Sequence, residues 1–241
     1  MKTSARLFIA LIALSGLVVL GNAVVHATSS GFARSVSFLL VACLAARLKV
    51  KLPGLTGTMS VNLPFILVAV AQMSVIEALA VACLSTLAQC LPASGKKFNA
   101  VQTLFNVSNM ALAAGITRLV CDSSTLATIA GSRALLVAIA AAAYLLVNTV
   151  PVAIIISLTE NKSALRTWAG IFQLSFPYFV AGAGIAGVVM TVSAQIGWGL
   201  PLAVLPLMFG IFHSYRRYFS GATAVAEIES RRRIASVRGA S

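Results

Sequence analysis

The chain of 241 residues carries only five carboxylates and two histidines, and their spacing offers no acid–base centre. Glu77 and Asp122 fall near one end of the apolar segments, Glu160 near the other, and Glu227 and Glu229 after the last of them. Hydrolytic chemistry needs two such groups converging on one bond, and no pair here shares a membrane helix face. His26 and His213 fall at opposite ends and cannot join one metal centre. Cys43, Cys83, Cys90 and Cys121 lie within or at the edges of apolar runs without CxxC spacing, the pattern of packing thiols. "GAGIAG" at 182–187 has the GxGxxG form, but it sits inside an apolar run. It lacks the preceding strand and the later acidic residue that a dinucleotide site needs. Gly182, Gly184 and Gly187 are expected instead to let helices pack closely. No catalytic residue, metal or cofactor is therefore expected, and the chain reads as a non-enzyme.

The chemistry left to explain is that of amides and hydroxyls inside apolar sequence. Asn62 lies in "TMSVNLPF", Asn106 and Asn109 in "LFNVSNMA", and Asn148 in "LLVNTVPV". Hydrocarbon offers an amide no partner, so these side chains must face protein. Two readings stay open. One is interhelical hydrogen bonding, each bond worth on the order of 1 kcal/mol. The other is a polar pocket for a small ligand, with Thr58, Ser60, Asn62, Asn106, Asn109 and Asn148 as candidates. Glu77, a carboxylate just inside a segment end, joins that set as a boundary group or a ligand site. Pro64 and Pro151 each follow an Asn closely. They are expected to kink their helices and free a carbonyl one turn earlier, as in broken helices that line membrane sites.

The elements that must position these residues are membrane helices. Hydrophobic residues make up 59% of the chain and charged residues only 10%, outside the usual soluble range. Continuous apolar runs long enough to cross about 30 Å of hydrocarbon recur without the alternation of barrel strands. The expected fold is all-α, a polytopic bundle of about eight spans (six to eight) over residues 1–218, with a basic tail or linker helix at 219–241. The spans are placed at 7–25, 33–48, 58–73, 75–91, 100–120, 133–158, 171–194 and 198–215. The third and fourth are short and joined by a tight turn, so they form a helical hairpin or a partly re-entrant pair. The first run exceeds the apolar core of an ordinary signal peptide, so an uncleaved helix is expected there.

The net charge of +13 sits in the gaps between runs and in the tail, which points to topology and anionic lipid rather than nucleic acid. With the N-terminus inside, fifteen of the 18 Lys and Arg residues fall on the cytoplasmic side, leaving Arg34, Arg118 and Arg133 outside. Both termini are then cytoplasmic. In "KLPGLTGTMSVNLPF", Pro53 and Gly54 end one segment, Gly57 allows re-entry, and Thr58 and Ser60 are expected to cap the next helix.

The runs "LKVKLPGLTGTMSVNLPF", "LFNVSNMALA" and "LVNTVPVAIIISLTENKSALRTW" resemble the multi-pass N-terminal sensor region of some bacterial signalling proteins. The resemblance rests on Leu52, Pro53, Gly54, Gly57, Thr58, Ser60 and Asn62 in the first run. In the others it rests on Phe105, Asn106, Asn109, Asn148, Pro151, Thr159, Glu160 and Lys162. Such regions usually precede a diguanylate cyclase or an HD-type cyclic-di-GMP phosphodiesterase domain, and no motif of either occurs after residue 217. The resemblance implies a non-catalytic sensor in the bacterial inner membrane. Its partners are the lipid bilayer and a cytoplasmic signalling protein or a second copy of the chain. A small-solute transporter, or the membrane subunit of one, is the rival expectation.

Overall fold

A computed structural model describes residues 2–27, 31–51, 58–92 and 98–196, with positions 206, 209, 210, 213, 214 and 217. The loop residues Pro53, Gly54 and Gly57, most of the expected span 198–215, and the tail 219–241 lie outside the described residues. The architecture is all-α with one short ribbon. In chain order it runs α1 (Thr3–Val25), α2 (Phe32–Arg47), β1 (Lys49–Lys51), β2 (Thr58–Ser60), α3 (Leu63–Gln72) and α4 (Val75–Cys90). It continues through α5 (Ala100–Asp122), α6 (Ser124–Ala130), α7 (Arg133–Glu160) and α8 (Ala164–Ile196). Four of these helices, α1, α5, α7 and α8, are long and apolar enough to cross a membrane.

Small residues set the closest helix approaches. α1 turns Ala5, Ile12, Gly16 and Ala23 inward, leaving Leu7, Leu11, Leu14 and Val18 exposed along the other face. In a bilayer that exposed stripe meets acyl chains. A Cβ on Gly16 would come within 2.8 Å of the Ser108 backbone, and one on Gly115 within 2.6 Å of Val19 Cγ1, so α1 lies directly on α5. α7 and α8 form an antiparallel pair whose connection is Asn161 to Ser163. Asn161 closes α7 in the left-handed conformation at φ 59°, which an Asn tolerates better than most residues. Lys2 Nζ donates to Asn161 Oδ1 at 2.7 Å, placing the start of α1 beside that turn.

The expected third span is corrected. Residues 58–60 are a strand, paired antiparallel with β1 in the register Lys49–Ser60, Val50–Met59 and Lys51–Thr58. The helix that follows has only 10 residues, about 15 Å at 1.5 Å rise per residue, half of what a hydrocarbon core requires. Pro64 does not kink it. Pro64 occupies the first turn, where no intrahelical N–H is needed and the fixed φ favours initiation. Pro151 does fall inside α7, where the missing N–H leaves the Val147 carbonyl without its usual partner. Pro177, inside α8, does the same for Gln173. Two other boundaries move. α8 begins at Ala164, ahead of the expected 171, and α6 is an added short helix between Ser123 and Gly131.

α3 is the centre of the fold. Every residue from Val61 to Val70 is buried, including Phe65 and Ile66. Phe65 meets Phe38 of α2 edge-on at 6.0 Å between ring centroids. A largely buried helix too short to span needs its end groups satisfied by protein. At its C-terminal end two arginines do so. Arg118 donates to the Val70 and Met73 carbonyls, both at 2.8 Å, and Arg34 to Gln72 O at 3.3 Å.

Candidate functional site

At the other end of α3 lies a cavity of about 180 Å³ bordered by β2, α3, α4, α5, α7 and α8. Its polar wall is made of Ser60, Asn62, Thr86, Gln89, Asn106, Asn148, Thr149, Ser175 and Tyr178; Met110, Tyr144, Val152, Ile156, Ile171 and Phe179 supply apolar area. No acid, base or thiol is among these lining residues. Its hydroxyls stand beside amides and apolar groups, with no carboxylate, imidazole, amine or thiol in the lining to activate them.

Asn62 anchors the polar wall. Its Nδ2 donates to Ser85 Oγ at 3.0 Å, while its Oδ1 accepts from Ser60 Oγ at 2.7 Å. Ser60 Oγ is also 3.0 Å from Gln89 Oε1, so strand, helix start and α4 are linked through one hydroxyl. Ser60 therefore does not cap α3 as expected, because its hydroxyl is held by side chains in place of a first-turn N–H. The group that meets the helix start is Tyr178, whose hydroxyl accepts from Leu63 N at 3.1 Å. Thr58 pairs with Lys51 through the backbone, and its side chain lies outside the described residues.

The amides expected to gather do so in part. Asn62, Asn106 and Asn148, from α3's entry, α5 and α7, all line the cavity. Asn106 Nδ2 donates to Cys90 Sγ at 3.5 Å, a weak contact. Asn109 sits one turn further along α5 and outside the lining. It donates to the Asn148 carbonyl at 3.1 Å and reaches its Oδ1 at 3.4 Å, while its own buried Oδ1 has no partner among the described residues.

Glu77 is elsewhere, at the start of α4 on the opposite side of α3. It forms a capping box with Ser74, accepting from Ser74 N at 3.0 Å and Ser74 Oγ at 2.7 Å, and it accepts from Ser35 Oγ at 2.6 Å. That placement gives it the boundary role at a helix start and keeps it out of the cavity. Of the three glycines expected to pack, one meets a neighbouring helix closely among the described residues. A Cβ on Gly182 would approach Leu63 Cδ2 to 2.7 Å, whereas at Gly184 and Gly187 it would meet nothing within 4 Å among the described residues. The latter two line an apolar groove of about 870 Å³ between α7 and α8.

Several cavity residues escape sequence reasoning. Thr86, Thr149 and Ser175 each donate to a carbonyl of their own helix, at Ala82, Leu145 and Ile171, so nothing in their local sequence demands a cavity. Tyr144 and Tyr178 carried a usable signal. Both lie deep in apolar runs, away from the ends where tyrosines anchor, and a buried phenol needs a partner. Tyr144 donates to Met110 Sδ at 2.8 Å, and Tyr178 serves Leu63.

No curated protein and no solved structure matches the chain. The MASE9 family, a family of membrane-associated sensor domains, matches residues 6–217, which includes α2 to α8 and every residue of the cavity wall. With nearly the whole chain covered by that match, the protein belongs to the MASE9 family of membrane-associated sensor domains.

Proposed function

We propose that this chain is the non-catalytic input module of a bacterial signalling system, set in the inner membrane with both termini cytoplasmic. The carrying observation is the cavity beside the start of α3, where amides from four separate elements converge without a carboxylate, imidazole, amine or thiol. Such a wall recognises and orients a molecule without transforming it. Occupancy changes the packing of α3, α5, α7 and α8 around it, and the change leaves through α8 towards the chain after residue 196. There a cytoplasmic partner or a cyclic-di-GMP output domain reads it.

Charge placement supports the orientation. Among the described residues Lys2, Arg6, Arg47, Lys49, Lys51, Lys162 and Arg166 belong to the bundle end that holds β1, β2 and the α7–α8 turn. Arg34 and Arg118 belong to the other end, where their guanidinium groups cap α3. A cytoplasmic face carries the excess of Lys and Arg, so the first end faces inward.

The test is a fusion of the full chain to a diguanylate cyclase domain, with cyclic-di-GMP measured in cells across growth conditions. Asn62→Leu and Asn148→Leu should shift the output relative to wild type at equal membrane insertion. Identical output from all three proteins in every condition overturns the sensor reading.

A further inference from the structure

The chemistry of the cavity wall restricts what can occupy it. About 180 Å³ is slightly more than the roughly 150 Å³ of an engineered apolar cavity that takes up benzene, so the occupant has few heavy atoms. A formal charge placed there would have no counter-charge among the lining residues, and a buried unpaired charge is heavily penalised. The helix start of α3 supplies only partial positive charge, and its first N–H is already bonded to Tyr178.

Hydrogen-bonding capacity, by contrast, is left over. Asn148 Nδ2 has no acceptor among the described residues, and Asn106 Nδ2 has only a thiol at 3.5 Å. Gln89 meets Ser60 with one end of its amide, leaving the other end for the cavity. The hydroxyls of Thr86, Thr149 and Ser175 direct their protons to their own helices and so present lone pairs, with Thr149 also accepting from Trp168 Nε1 at 3.1 Å. Amide donors and hydroxyl acceptors thus face a space whose apolar wall includes Val152, Ile156 and Ile171.

We infer that the cavity binds an uncharged small molecule with a carbonyl or hydroxyl group at one end and a short apolar portion at the other, and excludes its charged counterparts. The inference rests on the sensor reading for its biological sense, but binding is measured without any signalling readout. Trp168, bonded to Thr149 of the wall, is the built-in reporter, and Trp198→Phe removes the chain's other tryptophan.

The full chain in lipid nanodiscs is titrated at neutral pH with butyramide, butyrate and butylammonium, three probes of similar size and different charge. Butyramide should shift Trp168 emission saturably, at a midpoint on the order of millimolar, with both charged probes at least about tenfold weaker. The response should vanish in Val152→Phe, which fills the cavity without removing a polar group, and persist in Gly184→Ala, outside it. A charged probe that binds as well as butyramide overturns the inference. So does a wild-type response that is absent, unsaturable or unchanged by Val152→Phe. Selective binding with an unresponsive cyclase fusion would leave the ligand class standing and remove the sensor reading; a responsive fusion without selective binding would do the reverse.

Discussion

Arg118→Met should destabilise the bundle far more than Asp122→Asn, although the two residues form an ion pair at 2.7 Å. The reason lies in what else each side chain does. Arg118 donates to the Val70 and Met73 carbonyls at 2.8 Å each. Val70 O cannot fall back on the usual helical donor four residues later, because Ser74 N is bonded to Glu77. A buried carbonyl left unsatisfied costs about 1–3 kcal/mol. The Arg118 side chain is 23% exposed, so interfacial water recovers part of that loss, and about 2–4 kcal/mol is expected for the two carbonyls together. The Asp122 side chain is 51% exposed, and an exposed i,i+4 pair is worth about 0.3–0.5 kcal/mol. Arg118→Lys should lie between, since one ammonium replaces a planar fork without its geometry. The assay is reversible unfolding in mixed micelles by titration with a denaturing detergent, followed by far-UV helicity. Equal losses for Arg118→Met and Asp122→Asn would show that the ion pair, and not the carbonyl clamp, holds this end of α3.

Glu77→Ala should cost about 1 kcal/mol through loss of the capping box, measured in the same titration, while leaving butyramide binding unchanged. Gly182→Val should cost about 1–3 kcal/mol, because its Cβ meets Leu63 Cδ2 at 2.7 Å and Leu63 is only 3% exposed. Leu63→Ala in the same chain should recover part of that loss; no recovery would mean that the clash is not the cause. Pro64→Ala should cost only about 1–2 kcal/mol, the transfer value of two methylenes from a fully buried ring, since a first-turn proline removes no intrahelical bond. A larger loss would restore the view that Pro64 bends the helix.

The helices were legible where apolar periodicity and caps agree. α1, α4 and α5 begin and end within a few residues of the apolar runs, and Ser74-Val75-Ile76-Glu77 even carries the S-x-x-E cap pattern. α3 was not legible in full, because "TMSVNLPF" is as apolar as a helix entrance while its first three residues pair with Lys49–Lys51 across a loop. Neither local propensity nor hydropathy contains that pairing. The start of α8 was hidden for a related reason. Arg166 and Trp168 look like an interface, yet the helix simply continues through them, and Trp168 reaches Thr149. The site was half legible. An Asn in hydrocarbon announces that it needs protein, which brings Asn62, Asn106 and Asn148 to notice. A Thr or Ser that bonds its own helix announces nothing. The roles of Arg34 and Arg118 were invisible for a third reason. Charge counting assigns them a membrane face, but the carbonyls they cap belong to a helix whose shortness is a tertiary fact.

That shortness accounts for both of α3's polar ends. A ten-residue helix with no exposed flank must have its terminal groups met inside the protein, by guanidinium groups at one end and by the Tyr178 hydroxyl at the other. The helix is also buried from Leu63 to Val70, and its continuous backbone gives a shift at one end a route to the other. Tyr178→Phe and Arg118→Met act about 15 Å apart, beyond the separation at which substitutions usually add. If α3 moves as one body, the first substitution releases it and the second then costs less. The double mutant should therefore fall short of the sum by more than about 0.5 kcal/mol, the usual scatter for independent sites. Simple additivity would mean that the cavity end and the arginine end are held separately, and that α3 does not relay occupancy of the cavity to the opposite face.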